Sequence, residues 1–377
     1  MNSKNTIFTV VIMSLIAFVG STFGQSILSD QDIENEVKKL LAEGKIAVEA
    51  GDIPVFSLAI SEYPSWSLFL AAHEQGFINM AKGKLGPVEK KWGVDIVLEN
   101  VDYDTCIKYY GGKQVDAVCL TALDFLPPSL QIPTVGILPT STSDGADQLI
   151  TSKKYTTLAE LKGVAVHGLD NSVSQQTFER ILEENGQDPN EFNFVGMDPA
   201  AATLAFIKGD IDAIVVWNPF CMQAKRERKD SHVLGSSKII PEEIIDMIGM
   251  SRASLNKKGG ERFACAFIET YYLFNKAINN PKTNSDALNA LGNSFLKLSL
   301  KDMRIIVKET SFYGTPESGI NLFSGKVFPE KIKENVKFAL RREMIESAPT
   351  IGYGSKGSGN FVFNDKYMRL VAAQMKK

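Results

Sequence analysis

The segment Gly112-Lys113-Gln114-Val115-Asp116-Ala117-Val118 returns later in the chain as Lys208-Gly209-Asp210-Ile211-Asp212-Ala213-Ile214. In each copy a helical pattern stops, the chain turns, and an Asp precedes an apolar, β-branched run. Any helix-to-strand turn can look like this, so the weight lies in what surrounds the echo. Upstream of the first copy the pattern reads strand 55–60, helix 66–74 ended by Gly76, strand 94–99 and helix 103–110; strand 115–120 then follows. Upstream of the second it reads strand 164–167, helix 173–184, strand 192–195 and helix 199–208, and strand 211–217 follows. Each is a βαβαβ unit, which demands a mostly parallel sheet with helices on its faces. Two such units in one chain predict an α/β protein of two lobes.

The helices carry their own punctuation. Phe178, Ile181 and Leu182 share one face of helix 173–184, which Gly186 stops. Asp198 stands as N-cap, Pro199 at the first helical position and Gly209 past the end of helix 199–208. Beyond a polar stretch at 225–230 the chain becomes mainly helical, with the strongest patterns at 263–278, 286–298 and 330–345, and a Gly-Ser loop at 353–359. A chain that builds one lobe, builds a second and returns crosses twice between them, here near 138–143 and 248–254. The expected lobes are residues 53–140 with 251–377, and residues 141–250. Ser29 before Asp30 and Asp32 caps a charged amphipathic leader helix within 25–52.

At the N-terminus Lys4 precedes an apolar run over 7–19, then Gly20-Ser21-Thr22-Phe23-Gly24. A charged start, a short apolar core and small residues at −3 and −1 are the parts of a signal peptide spanning 1–24, cleaved near Gly24. The run falls short of the roughly 20 apolar residues a membrane span needs. The expected location is periplasmic or secreted. Cys106, Cys119, Cys221 and Cys265 make no CxxC pair and no zinc spacing, and are expected as free, mostly buried thiols. A formal net charge of −3 with no basic run argues against a nucleic-acid partner. No metal site and no cofactor motif is expected.

Ligands of open α/β sheets bind beyond the carboxyl ends of the strands. Those positions hold Ser61, Tyr63, Pro64, Ser65 and Trp66 in the first unit, then Thr121 and Asp124. Ser143, Asp144, Gly145 and Asp147 lie at the crossing. Asn171, Ser172 and Ser174, then Trp217 and Asn218, follow in the second unit. Ser172 and Ser174 open a helix, where free N–H groups favour a polar oxygen; Ser172 equally fits a plain N-cap. Trp66 and Trp217 offer aromatic walls from opposite lobes, and Asp144 or Asp147 a partner for a cation. Trp66 also fits simple packing, and Asp147 a brace for the hinge. Among the three histidines only His167, ending a strand, has a place near a cleft.

Leu161-Lys162-Gly163-Val164-Ala165-Val166, Asn171-Ser172-Val173-Ser174, the stretch 200–209, and Asp212-Ala213-Ile214-Val215-Val216-Trp217-Asn218-Pro219-Phe220 resemble the nitrate/sulfonate/taurine-type substrate-binding proteins of ABC importers. Tyr63-Pro64-Ser65-Trp66 and Ser143-Asp144-Gly145-Ala146-Asp147 are similar to two further loops of that family, and the likeness is strongest to a branch associated with urea-carboxylase gene regions. It covers roughly 53–255. The resemblance implies a type II periplasmic-binding-protein fold: two βαβ-type lobes joined by a two-strand hinge, with extra C-terminal helices. It implies a ligand site at Ser65, Trp66, Thr121, Asp144, Asp147, Ser172, Ser174, Trp217 and Asn218. It also implies a small-molecule ligand, an inner-membrane ABC permease as partner, and a monomer. Ser65 and Asp144 depart from the family pattern, and the added negative charge favours a cationic, zwitterionic or amide-like ligand over nitrate.

Two other readings share the fold: a sensory ligand-binding protein, and an enzyme such as a pyrimidine-precursor synthase. The synthases carry a cysteine-rich cluster, whereas the cysteines here are dispersed. No Gly-x-Ser-x-Gly elbow, His-Glu-x-x-His motif or phosphate-binding loop is present.

Overall fold

The structure, a computed structural model, describes residues 28–376; the signal-peptide segment 1–24 lies outside them. The strands in chain order are β1 (Val55–Ile60), β2 (Asp95–Asn100), β3 (Ala117–Thr121), β4 (Thr134–Ser143), β5 (Asp147–Thr151), β6 (Ala165–Gly168), β7 (Asn193–Gly196), β8 (Ala213–Trp217), β9 (His232–Ser236), β10 (Ile245–Ser251), β11 (Thr310–Phe312), β12 (Ile351–Tyr353) and β13 (Phe361–Phe363). They form two sheets. The larger runs β12-β13-β4-β10-β3-β1-β2, with β11 clasped to β4; the smaller runs β7-β6-β8-β5-β9. The echoed segments end in β3 and β8, central strands buried at every residue. Their parallel neighbours β1 and β2, and β6 and β7, make the two expected βαβαβ units.

Each unit is extended by one antiparallel strand that begins where the chain has just crossed between lobes. β10 lies against β3 with Asp246 opposite Thr121, and β5 lies against β8 with Asp147 opposite Trp217. The starts of β10 and β5 therefore sit at the edge where the parallel strands end. The crossings are 144–146 and 237–244, and Ser143 and Ser237 join them hydroxyl to hydroxyl at 2.7 Å. This shifts the expected boundaries: β10 belongs to the larger sheet, not to the second lobe, and so does all of β4. The apolar run of β10 has Asp246, Gly249 and Ser251 within it and reads weakly as a strand. Gly249 is needed there, because a Cβ would stand 2.5 Å from the Phe125 ring.

The second lobe has its own core of Leu149, Leu161, Val166, Phe178, Ile181, Leu182, Ala213 and Val215. Segments 263–278, 286–298 and 330–345 fold as helices Gly260–Asn279, Asn284–Asn293 and Phe328–Arg341. The Gly-Ser stretch 353–359 is a loop except for Tyr353, the last residue of β12, and it leads into β13, which runs parallel to β12 and seats Phe361 and Phe363 on the core beside β4. All four cysteines are free and buried.

The leader is the helix Asp30–Ala50, capped by Ser29, whose hydroxyl accepts from the Asp32 amide at 3.2 Å. Ile33, Val37, Leu40, Gly44 and Ala47 recur at alternating spacings of four and three, which gives one buried stripe. That stripe lies on helices Lys366–Met375, Pro87–Trp92 and Gly260–Asn279, so the leader docks on the larger lobe. Arg262 ties the floor beneath it, donating to the carbonyls of Trp92 at 2.8 Å and Gly93 at 2.7 Å. Gly44 permits the close approach: a Cβ would meet the Trp92 carbonyl oxygen at 2.7 Å. Gly to Ala inside a helix ordinarily stabilises by about 0.5–1 kcal/mol. Gly44→Ala is expected to do the reverse, lowering stability by about 1–3 kcal/mol, the scale of an overpacked contact. Thermal unfolding followed by circular dichroism reads the sign, and a raised Tm would mean that the leader does not dock.

Candidate functional site

The two sheet edges face one another across a narrow cleft, closed here to about 10 Å³ of water-accessible space and lined by Tyr63, Trp66, Tyr103, Thr121, Asp147, Val173, Trp217, Ile244 and Asp246. Tyr63, Trp66, Tyr103 and Thr121 come from the larger lobe, with Asp246 at the start of β10. Asp147, Val173 and Trp217 come from the smaller lobe, and Ile244 from a crossing.

The walls are aromatic and ordered by one another. Pro64 opens helix Pro64–Glu74 directly after β1, which turns Trp66 back over the strand ends. Asp102 caps helix Tyr103–Gly111 after β2, receiving the Thr105 amide at 2.8 Å, and so places Tyr103 beside Trp66. The two rings stack at 5.5 Å with 1° between their planes. Tyr63 leans on Trp66 at 5.0 Å, and Trp217 meets Tyr103 edge-on at 5.5 Å. The Trp217 indole N–H donates to the Glu62 carbonyl at 3.1 Å, a bond from one lobe to the other. The Trp66 indole N–H is buried without a partner.

Three carboxyl groups stand at or next to this cavity, all 2% exposed or less. Asp124 receives the Tyr103 hydroxyl at 2.6 Å and the Thr121 hydroxyl at 2.8 Å. Burial pushes it up to about 6, against those bonds and the Val173 backbone N–H. Asp147 is pushed up to about 7 by burial, opposed by a bond from Ser143. Asp246 receives the Ser141 hydroxyl at 2.6 Å, and burial with the nearby carboxyls of Asp147 and Asp124 holds it well above the usual carboxylate range. Ser141 is steadied in turn by Ser65 at 2.9 Å.

Of the residues expected at the site, Trp66, Thr121, Asp147 and Trp217 line the cavity. Ser65 lies one layer behind, between Ser141 and Thr140. Asn218 is fully buried beside Trp217 and donates to the Glu309 carboxylate at 2.7 Å, another bond between lobes. Ser172 is an N-cap: its hydroxyl accepts from the Ser174 amide at 3.2 Å and donates to the Leu169 carbonyl at 2.8 Å. Ser174 is buried with its hydroxyl unpartnered, next to the lining residue Val173. Asp144 is exposed, its amide bound to the Glu309 carbonyl, because Gly145 (φ 101°) turns the crossing between it and Asp147. His167 lies mid-sheet in β6 and does not line the cavity. The lining residues not anticipated are Tyr103, Val173, Ile244 and Asp246.

A second set of contacts closes the lobes away from the cavity. Glu179, 2% exposed in helix Val173–Glu184, pairs with Arg341 at 2.8 Å and Arg342 at 2.6 Å. Beside it Gln176 donates to Asn335 at 2.8 Å. Arg180 pairs with Glu243 of the crossing at 2.9 Å.

Residues 142–263 match the family model described as NMT1/THI5 like. No curated protein matches the chain by sequence. Among solved structures the chain is similar to the periplasmic aliphatic sulphonate binding protein SsuA of Escherichia coli, with a TM-score of 0.60 and 13% identity over 78% of this chain and 89% of that one. It is similar to the alkanesulfonate-binding protein SsuA of Xanthomonas axonopodis pv. citri bound to MOPS, with a TM-score of 0.62 and 12% identity over 77% and 93%. A zinc-bound ligand binding component of an ABC-type import system from Staphylococcus aureus gives 0.62 and 10% over 85% and 99%. These likenesses establish the two-lobed periplasmic-binding-protein fold.

Proposed function

We propose that the chain is an extracytoplasmic solute-binding protein of an ABC importer, which captures one small polar solute between its lobes and delivers it to a membrane permease. The observation that carries the reading is the cavity itself: no single lobe makes it, and its walls meet only when the lobes are together. A solute that touches Trp66 and Trp217 at once is bound fully only in the closed form, so it shifts the population towards closure. The permease then recognises closed lobes and releases the solute by parting them. Binding proteins of transporters with the same fold, and the match over 142–263, support this use. Among the described residues no helix is long and apolar enough to cross a membrane. A synthase on the same fold is the weaker reading. All four thiols lie outside the cavity, and burial raises each above the ordinary thiol range.

The test is small-angle scattering on the purified chain with a panel of small solutes, with each mixture checked for chemical change. The expected result is a smaller radius of gyration with at least one solute, which is recovered unaltered. Conversion of a bound solute would favour the synthase. Binding with no change in lobe separation would remove the capture mechanism.

A further inference from the structure

The chemistry of the cavity constrains what it holds, given that it holds a solute at all, as proposed above. None of the nine lining residues is Lys, Arg or His, whereas Asp147 and Asp246 are both among them. The groups facing these carboxyls are of one kind. Tyr63 faces both, Cys221 faces Asp147, and Asp124, Tyr271, Tyr313 and Cys119 face Asp246. Lys225, which influences Cys221, spends its ammonium on the Gln148 side chain at 2.9 Å. The N-terminus of helix Val173–Glu184, where an anionic ligand would find free N–H groups, already faces Asp124 from the other lobe. An anion entering here would meet no counter-charge. A cation would meet two carboxyls and the aromatic side chains of Trp66, Tyr103 and Trp217, whose π-electrons attract positive charge.

We propose that the cavity selects a small, flat organic monocation bearing N–H donors, of the amidinium or primary ammonium class, seated between the aromatic walls and hydrogen-bonded to Asp147 and Asp246. The buried Trp66 N–H, without a partner in the protein, gives the same ligand a place for one acceptor atom. The cleft as closed here leaves only about 10 Å³ of water-accessible space, so the ligand is a small molecule and the lobes part to admit it.

A proton must leave as the cation arrives. Asp147, raised to about 7 by burial, is mostly neutral at about pH 6. The exchange is Asp147–COOH plus cation giving the carboxylate–cation pair and a proton released to buffer. The sign follows from the raised value. The neutral carboxyl favours the closed, unliganded form in acid, and that contribution fades as pH rises through about 7. Cation affinity moves the other way and strengthens over the same interval.

The experiment is titration calorimetry of the full chain with acetamidinium, its neutral isostere acetamide, methylammonium and methanesulfonate, in buffers of different ionisation enthalpy. Acetamidinium is expected to bind about tenfold more tightly at about pH 8 than at about pH 6, with net proton release near neutrality. Acetamide and methanesulfonate are expected to bind at least about a hundredfold more weakly. Asp147→Asn should abolish both the proton release and the preference for acetamidinium over acetamide while the far-ultraviolet spectrum stays unchanged. Preference for methanesulfonate or acetamide would overturn the cation while leaving a solute-binding protein in place. Failure of every probe, of either charge or none, would overturn the cation and remove the support for solute capture as well.

Discussion

Trp217→Ala is expected to bind the proposed solute about a hundredfold more weakly than the parent chain. Trp217 is 5% exposed, forms the second lobe's wall, meets Tyr103 at 5.5 Å and bonds to the Glu62 carbonyl across the cleft. Removing a buried indole costs about 3–5 kcal/mol. The part of that cost that reports on binding is the part made only when the lobes meet, and about 2.7 kcal/mol of it gives the hundredfold. Trp217→Phe keeps an aromatic wall and loses the N–H, so it should fall by about tenfold, the worth of one hydrogen bond. Calorimetry on the three proteins reads both steps. An affinity for Trp217→Ala equal to that of the parent would place the solute elsewhere.

The second large effect is expected far from the cavity walls, in the double variant Arg341→Ala/Arg342→Ala. Glu179 has almost no contact with water, and these two guanidinium groups are its counter-charge. A buried carboxylate stripped of its partners costs about 3–5 kcal/mol. The molecule escapes that cost by parting its lobes, which rehydrates Glu179. Scattering should therefore find the double variant open, and solute affinity should drop by about a hundredfold or more with every cavity residue intact. Glu179→Gln leaves no unpaired buried charge and should be milder. A double variant that stays closed would mean that water already reaches Glu179.

The fold was legible because its periodicities are local. β1 and helix Pro199–Lys208 fall where the sequence put them, and β2, β3, β6, β7 and β8 within two residues at either end. The boundaries between lobes were not, since β4 and β10 are continuous strands whose membership depends on partners distant in the chain. The candidate site divides the same way. Trp66, Thr121 and Trp217 follow from reading the ends of parallel strands. Tyr103 answers to the same rule one strand over, after β2, and Asp102 as a helix cap was the signal for it. Asp246 lies at the start of an antiparallel strand, a place the rule does not visit. Its counterpart Asp147 holds the same position in the other lobe, opposite the last residue of β8 as Asp246 is opposite the last residue of β3. The echo between the two units thus extended to the carboxyls, but only with the register known. Ser172 and Asp144 have residue types that suit a ligand, yet one is used up by the helix it caps and the other is turned outward at Gly145.

The clasp of β11 on the end of β4 has a mechanical meaning. Thr310, Ser311 and Phe312 pair with Ser143, Thr142 and Ser141, the last residues before the chain leaves the larger sheet. Glu309, just ahead of them, holds the Asp144 amide on one side and Asn218 of the smaller lobe on the other. A joint of two strands bends and twists with similar ease. A third strand laid beside it resists torsion more than flexion about the strand ends, so any swing of the smaller lobe is expected to follow one arc.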